Sequence, residues 1–180
     1  MTETQLLSGD DFETLFTSFQ SSAFRLEARE SYYEQDELKA FLEFGPRAIP
    51  DDFLHEWYHL MRSHADAGRE VRRVRVVSEP HSDYTRFGLW LSERNVTAGE
   101  DIRYLPRPQA EALRLPTIDY WLLDSTRMYI LRFTDDDNLL GGELVTDPDV
   151  LRQALEWRDI AWEHAIPRAE YALSHPPVDR

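Results

Sequence analysis

Two stretches of this chain carry residue types at spacings that could do chemistry. The first is His55-Glu56-Trp57-Tyr58-His59, which fits H-E-x-x-H. On a helix, histidines four apart share a face and can hold one zinc ion, with the glutamate as general base of a hydrolysis. The second is SEPHSDYTRF at 78–87, directly after the arginine-bearing run EVRRVRVV at 70–77. A strand end that feeds a turn and a helix N-terminus is where α/β proteins bind ligands. Arg73, Arg75, Glu79, Asp83, Tyr84, Arg86 and Asp119 are therefore the candidate ligand-binding residues, framing an anionic or peptide ligand. A competing reading pairs the two arginines with Glu79, Asp83 or Asp119 in a purely structural charge network. It is the more economical of the two, because charge alone does not make a site.

Helical geometry tests the histidine motif. At about 100° per residue, Phe53, Leu54, Trp57, Leu60 and Met61 fall on one side. His55 and His59 share the opposite, polar face with Asp52 and Arg62, while His64 projects to the apolar side. A zinc site would need another segment, carrying His81, Glu79 or a distant carboxylate, to fold over that face. Nothing in the sequence marks one, so the motif reads as coincidence. A metal-dependent hydrolase using His55, Glu56 and His59 stands as the alternative function. Other catalytic signatures are missing: no G-x-S-x-G or S-x-x-K, no P-loop and no dinucleotide glycine pattern. Asp135-Asp136-Asp137-Asn138 lacks the glycine and glutamate that would complete a calcium loop, and reads as a solvated hairpin tip. The sequence thus assigns no catalytic residue, metal or cofactor.

The elements that must position these residues follow from hydrophobic period and punctuation. Asp10 and Glu13 suggest a capping-box start for a helix carrying Phe12, Leu15, Phe16 and Phe19. Ala23–Ala28 alternates as a half-buried strand, and Glu34–Phe44 is a helix closed by Gly45-Pro46. Asp51 or Asp52 is expected to cap the helix that runs to Gly68. A strand over 72–77 places Val74 and Val76 with Arg72 on one face, and Arg73 and Arg75 with Val71 and Val77 on the other. Ser82 or Asp83 opens the next helix, which leads to a strand at Asp101–Leu105, a right-handed βαβ unit. Pro106–Pro116 reads as a loop. Strands at Asp119–Asp124, Met128–Phe133 and Leu139–Val145 form an antiparallel meander. A long helix capped by Asp147 or Asp149 follows, and Pro167 ends it. The expected fold class is α/β (α+β), one mixed sheet flanked by helices. The expected organisation is a flexible 1–9, a single domain at 10–168 and a flexible tail at 169–180.

Composition bounds the function. The chain has 180 residues, 42% of them hydrophobic, which suits one packed domain without staples. It has no cysteine, which removes disulfides, zinc ribbons and thiol nucleophiles. The N-terminus lacks a basic head and an apolar run, and no segment is long enough to span a bilayer, so the expected location is cytoplasmic. The formal net charge is −14, spread unevenly. Residues 1–61 carry 13 acidic and 4 basic side chains, residues 62–107 carry 7 and 9, and residues 108–180 carry 14 and 7. Such a surface repels phosphate backbones, so direct nucleic-acid binding is not expected.

The runs GREVRRVRVVSEPHSDYTRFGLWLSERNVTAGEDIRYLPR, DYWLLDSTRMYILRFTDDDNLLGGELV and EWRDIAWEHAIP resemble an actinobacterial family of unknown function. The similarity extends through FETLFTSFQSSAFRLEARESY and covers about residues 10–168. Members of that family accompany helix-turn-helix regulators and small acidic proteins encoded beside them. The resemblance implies a non-enzymatic regulatory or interaction protein whose partner is such a regulator or companion. The element order also resembles part of a phospholipase D-like domain. Where those enzymes carry a nucleophilic histidine, this chain reads Ile118-Asp119-Tyr120-Trp121-Leu122-Leu123-Asp124, which implies a non-catalytic relative.

Overall fold

The valine- and arginine-rich run at 70–77 forms strand β3 (Glu70–Val77). It pairs in parallel with β2 (Ser22–Glu27) on one side and β4 (Glu100–Pro106) on the other. The computed structural model describes residues 6–32 and 36–176. Parallel neighbours need crossovers. The β3–β4 crossover is helix α5 (Asp83–Thr97), which completes the expected βαβ unit. A second, β2 to β3, runs through α3 (Asp36–Phe44), a 3-10 turn at Pro46–Ala48 and α4 (His55–Asp66).

The other strands are β1 (Leu6–Leu7), β5 (Tyr120–Leu123), β6 (Arg127–Phe133), β7 (Leu139–Val145) and β8 (Ile166–Pro167). They complete an eight-stranded mixed sheet of order β1-β7-β6-β5-β2-β3-β4-β8, with β5-β6-β7 as the antiparallel meander. This is the expected α/β class. Strand β2 lies between β5 and β3, and core packs on both of its faces rather than one, with Ala23 on one side and Phe24 and Leu26 on the other.

One sheet face is mainly apolar, with Arg72 and Arg103 at its margin lying over the Trp162 ring. Phe24, Leu26, Val74, Val76, Leu105 and Leu122 pack there against α7 (Pro148–His164) and α6 (Arg107–Ala112). The opposite face brings Arg25, Glu27, Arg73, Arg75, Tyr104 and Trp121 to a common surface through the pairing register. It lies under α1 (Gly9–Glu13), α2 (Leu15–Ser18), α4 and α5.

Several local expectations are corrected. The Pro106–Pro116 segment contains α6, because Pro106 is its N-cap and Pro108 lies in its first turn, where no N–H is needed. Helix α4 is not capped by Asp51 or Asp52: it starts at His55, after Leu54 turns the chain with φ 60°. Helix α1 starts at Gly9 after Ser8, with no side-chain cap, and Thr14 separates it from α2. Ser82 caps α5 by accepting the Thr85 N–H, and Asp147 caps α7 by accepting that of Asp149. The start of the helix expected from Glu34 lies outside the described residues, as do 1–5 and 177–180. The described parts of the two expected flexible ends are tied in. Leu6 and Leu7 pair with Glu143 and Gly142, and Arg168–Ser174 forms helix α8, which buries Tyr171 beside Tyr104.

The β5–β6 hairpin turns on Asp124 and Ser125, both left-handed at φ 52° and 58°. That turn matches strand twist but favours Asn-Gly over Asp-Ser. The Asp124 carboxylate supplies the compensation by accepting the backbone N–H of Gln20, Ser21 and Ser22 at 2.7–3.2 Å. Burial works against the charge, but these N–H donors outweigh it and hold the group at about 2, below 3.8. A lowered carboxylate stabilises the fold above its unfolded value, and that contribution is lost as pH falls through the folded one. Asp124→Ala should cost about 2 kcal/mol at pH 7. Urea unfolding should also show that the variant loses less stability than wild type between pH 3.8 and about 2.

Candidate functional site

The parallel register sets Arg25 beside Arg73, and Glu27 beside Arg75. Three guanidiniums on one buried face would repel one another. The Glu27 carboxylate joins them. Its Oε1 accepts from Arg73 Nη1 at 2.8 Å and lies 3.2 Å from Arg25 Nη1, and its Oε2 accepts from Arg75 Nη1 at 3.1 Å. Glu100, at the start of β4, accepts from Arg73 Nε and Nη2 at 3.1 and 2.8 Å, and from Trp57 Nε1 at 2.5 Å. Glu27, Arg75 and Glu100 are only 3%, 7% and 2% exposed. Burial alone would raise Glu27, but Arg25, Arg73 and Arg75 reverse that and hold it at about 2. Burial opposes charge on the arginines too, yet Glu100 and Glu27 keep Arg73 above its ordinary value, and Glu27 does the same for Arg75.

The helices do not close completely over this network. They leave a cavity of about 420 Å³ walled by Phe16, Tyr32, Trp57, Tyr84, Phe87 and Trp121, with Arg25, Glu27, Arg73 and Arg75 in its lining. That volume suits a small organic ligand. The Arg75 guanidinium lies 5.0 Å from the Tyr84 ring centre and 5.8 Å from that of Tyr32, within cation–π range. Only its Nη1 is hydrogen-bonded. Arg75 Nε and Nη2 have no hydrogen-bond partner among the described residues. These two nitrogens form one edge of the guanidinium fork, the geometry that grips both oxygens of a carboxylate or phosphate. A buried donor without a partner is costly, and an anion meeting both would remove that cost.

The structure divides the predicted site. Arg73, Arg75 and Tyr84 line the cavity. Asp119 stands behind it: it accepts the N–H of Ala28 and Arg29 at 2.8 and 3.1 Å and takes the Tyr32 hydroxyl, which fixes that wall. Glu79 and Arg86 line a separate concavity with His81 and His175, and Asp83 is exposed and pairs with Arg86. The expected ion partners of Arg73 and Arg75 were Glu79, Asp83 or Asp119; Glu27 and Glu100 take that place. The sequence does not mark Glu27, because its strand reads as half-buried; with both faces covered, Arg25 and Glu27 become buried charges, and buried charges are paired.

Helix α4 exposes His55, Glu56 and His59 and turns Trp57 inward to Glu100. His64 is buried as the helical wheel requires, its Nε2 2.7 Å from the Phe16 carbonyl oxygen, and burial lowers its pKa. Among the described residues, the three that could jointly hold a metal ion are Glu79, His81 and His175, away from α4.

Fold and cavity together define an α/β domain with one mixed sheet, whose helix-covered face carries buried charges beside a ligand-sized pocket. The chain belongs to the family Domain of unknown function (DUF6879), whose model matches residues 10–173. The resemblance to a family of unknown function holds in that form. Among curated proteins, no sequence matches the chain. Among the described residues, no helix is long and apolar enough to cross a membrane.

Removing the central carboxylate should expose how much depends on it. Glu27→Gln leaves three guanidiniums without their shared partner and should cost about 3–5 kcal/mol at pH 7. A depressed carboxylate stabilises above its unfolded pKa, so wild type should lose this contribution as pH falls from 4.5 through about 2. Urea unfolding at pH 7 and pH 3 checks both, and the gap between variant and wild type should narrow at the lower pH.

Proposed function

We propose that this chain is a non-enzymatic regulatory domain that binds a compact aromatic or apolar molecule bearing one carboxylate. The observation that carries the reading is the buried, unpartnered Nε–Nη2 edge of Arg75, a residue that lines an aromatic-walled cavity of about 420 Å³. Arg75 takes the carboxylate, and Tyr32, Tyr84, Phe87 and Trp57 enclose the apolar body. Binding rather than catalysis is supported by the ionisable groups of the lining. Glu27, held at about 2, is too weak a base near neutral pH. Arginines do not give up a proton, and burial raises Tyr32 and Tyr104 well away from neutrality.

The proposal extends to a partner. The partner we propose is a helix-turn-helix regulator, whose basic surface a chain of net charge −14 complements, or a small acidic companion protein, in the cytoplasm. Descent from a phospholipase D-like domain that has lost catalysis also belongs to this reading. Its support is the order of elements, and the loss of catalysis fits β5, which reads Tyr-Trp-Leu-Leu where those enzymes carry histidine.

Calorimetry with aromatic carboxylic acids, each beside its own amide, tests the binding reading. The acid should bind, and the uncharged amide should bind roughly tenfold or more weakly, the worth of a charge-assisted pair of hydrogen bonds. Arg75→Met should erase the preference. Equal binding of acid and amide, or acid preference that survives Arg75→Met, contradicts the reading.

A further inference from the structure

Away from the pocket, the geometry points to a second, independent site: a divalent transition-metal site formed by Glu79, His81 and His175. Glu79 and His81 lie in the turn between β3 and α5, and His175 directly follows α8. One candidate ligand atom from each lies within 4.8 Å of the other two. They open onto a concavity of about 310 Å³, also lined by Arg86 and Pro176. The positive charge of Arg86 is engaged by Asp83 one turn earlier.

The hydrogen bonding around His175 sets up the site. Its Nδ1 lies 3.1 Å from the Tyr171 carbonyl oxygen, which can only accept, so Nδ1 carries the proton and the Nε2 lone pair is left outward. That Nε2 lies 3.2 Å from Glu79 Oε1. Two acceptors face each other at that distance only with a cation between them. The separation matches the ligand–ligand edge of a tetrahedral shell with bonds of about 2.0–2.1 Å, which is about 3.3 Å. A proton would satisfy the His175–Glu79 pair alone, whereas a His81 ring nitrogen within 4.8 Å of both supplies a third ligand. A carbonyl-bound imidazole is the usual outer support of a metal-ligating histidine.

Surrounding contacts hold the three side chains in place. The Tyr171 hydroxyl donates to Glu79 Oε1 at 3.1 Å and lies 2.6 Å from His81 Nε2. The Tyr171 ring stacks on Tyr104 at 4.8 Å and on His175 at 4.2 Å. Two imidazoles and one carboxylate favour zinc-like ions over calcium or magnesium, which prefer all-oxygen shells. The fourth position faces the concavity. Bound there, the ion clamps α8 to the turn that opens α5.

The test uses the untagged, chelator-stripped chain. Zn(II) is titrated by calorimetry and Co(II) by its visible absorption, with circular dichroism on every variant. One ion per chain should bind, and His81→Ala and His175→Ala should each weaken it by at least about tenfold. His55→Ala/His59→Ala should bind as wild type does. Paramagnetic shifts from Co(II) on the wild-type histidine rings give the same reading without a substitution: they should fall on His81 and His175. No binding by folded wild type, binding that survives both single variants, or loss of binding or ring shifts at His55 and His59 would overturn the site.

Discussion

The Glu27 carboxylate is the constraint on which the rest of this fold depends. Stripping a guanidinium of water costs several kcal/mol, and the β2–β3 register brings three of them to one covered face. Glu27 touches all three, while Glu100 takes the remaining hydrogen bonds of Arg73. A slip of one residue in β2 or β3 would move these charges into the apolar face formed by Phe24, Leu26, Val74 and Val76. The network therefore specifies register more than it adds stability. It also explains why Trp57 turns inward: its indole N–H caps the outermost carboxylate.

That same arrangement leaves Arg75 short of partners. Glu27 is shared three ways and reaches Arg75 through Nη1 alone. Asp119 is spent on two backbone N–H groups, the Tyr32 hydroxyl and Arg25. The aromatic rings above Arg75 accept its charge through their faces but offer no lone pair to Nε and Nη2. A buried fork with one unpartnered edge, beside a cavity that the neighbouring side chains leave unfilled, is what supports the proposed anion binding. The proposed metal site at Glu79, His81 and His175 shares no residue with this proposed receptor.

Much of the fold could be read from local pattern. The βαβ unit followed from the valine- and arginine-rich run at 71–77 and the Ser82 cap, and the meander followed from three β-rich runs separated by Asp-rich turns. Arg73 and Arg75 were placed together on one face by period alone. What could not be read was long-range. Nothing local to Glu27 shows that β3 will lie on one side of it and β5 on the other, so it passed for the polar side of a half-buried strand. Glu100 meets Arg73 and Trp57 only because one crossover sets β4 beside β3 and another lays α4 over that face of the sheet. Conversely, Glu79, Asp83 and Arg86 are near Arg75 in sequence, but the turn after β3 carries them past the sheet end and away from the pocket. The H-E-x-x-H pattern shows the same limit of local reading, and the sequence alone already sets it aside as coincidence. Its spacing is local, but a third ligand would have to come from another segment.

The most direct measurement of the central claim is the arginine Nε–Hε NMR spectrum, with the Arg75 resonance assigned by Arg75→Lys. Buried and open, the Arg75 Hε should exchange slowly with solvent. It should shift downfield on saturation with an aromatic carboxylate, while the Arg73 Hε, already bound to Glu100, stays in place. An Arg75 Hε that exchanges like a surface arginine, or does not move when the acid binds, would contradict the account.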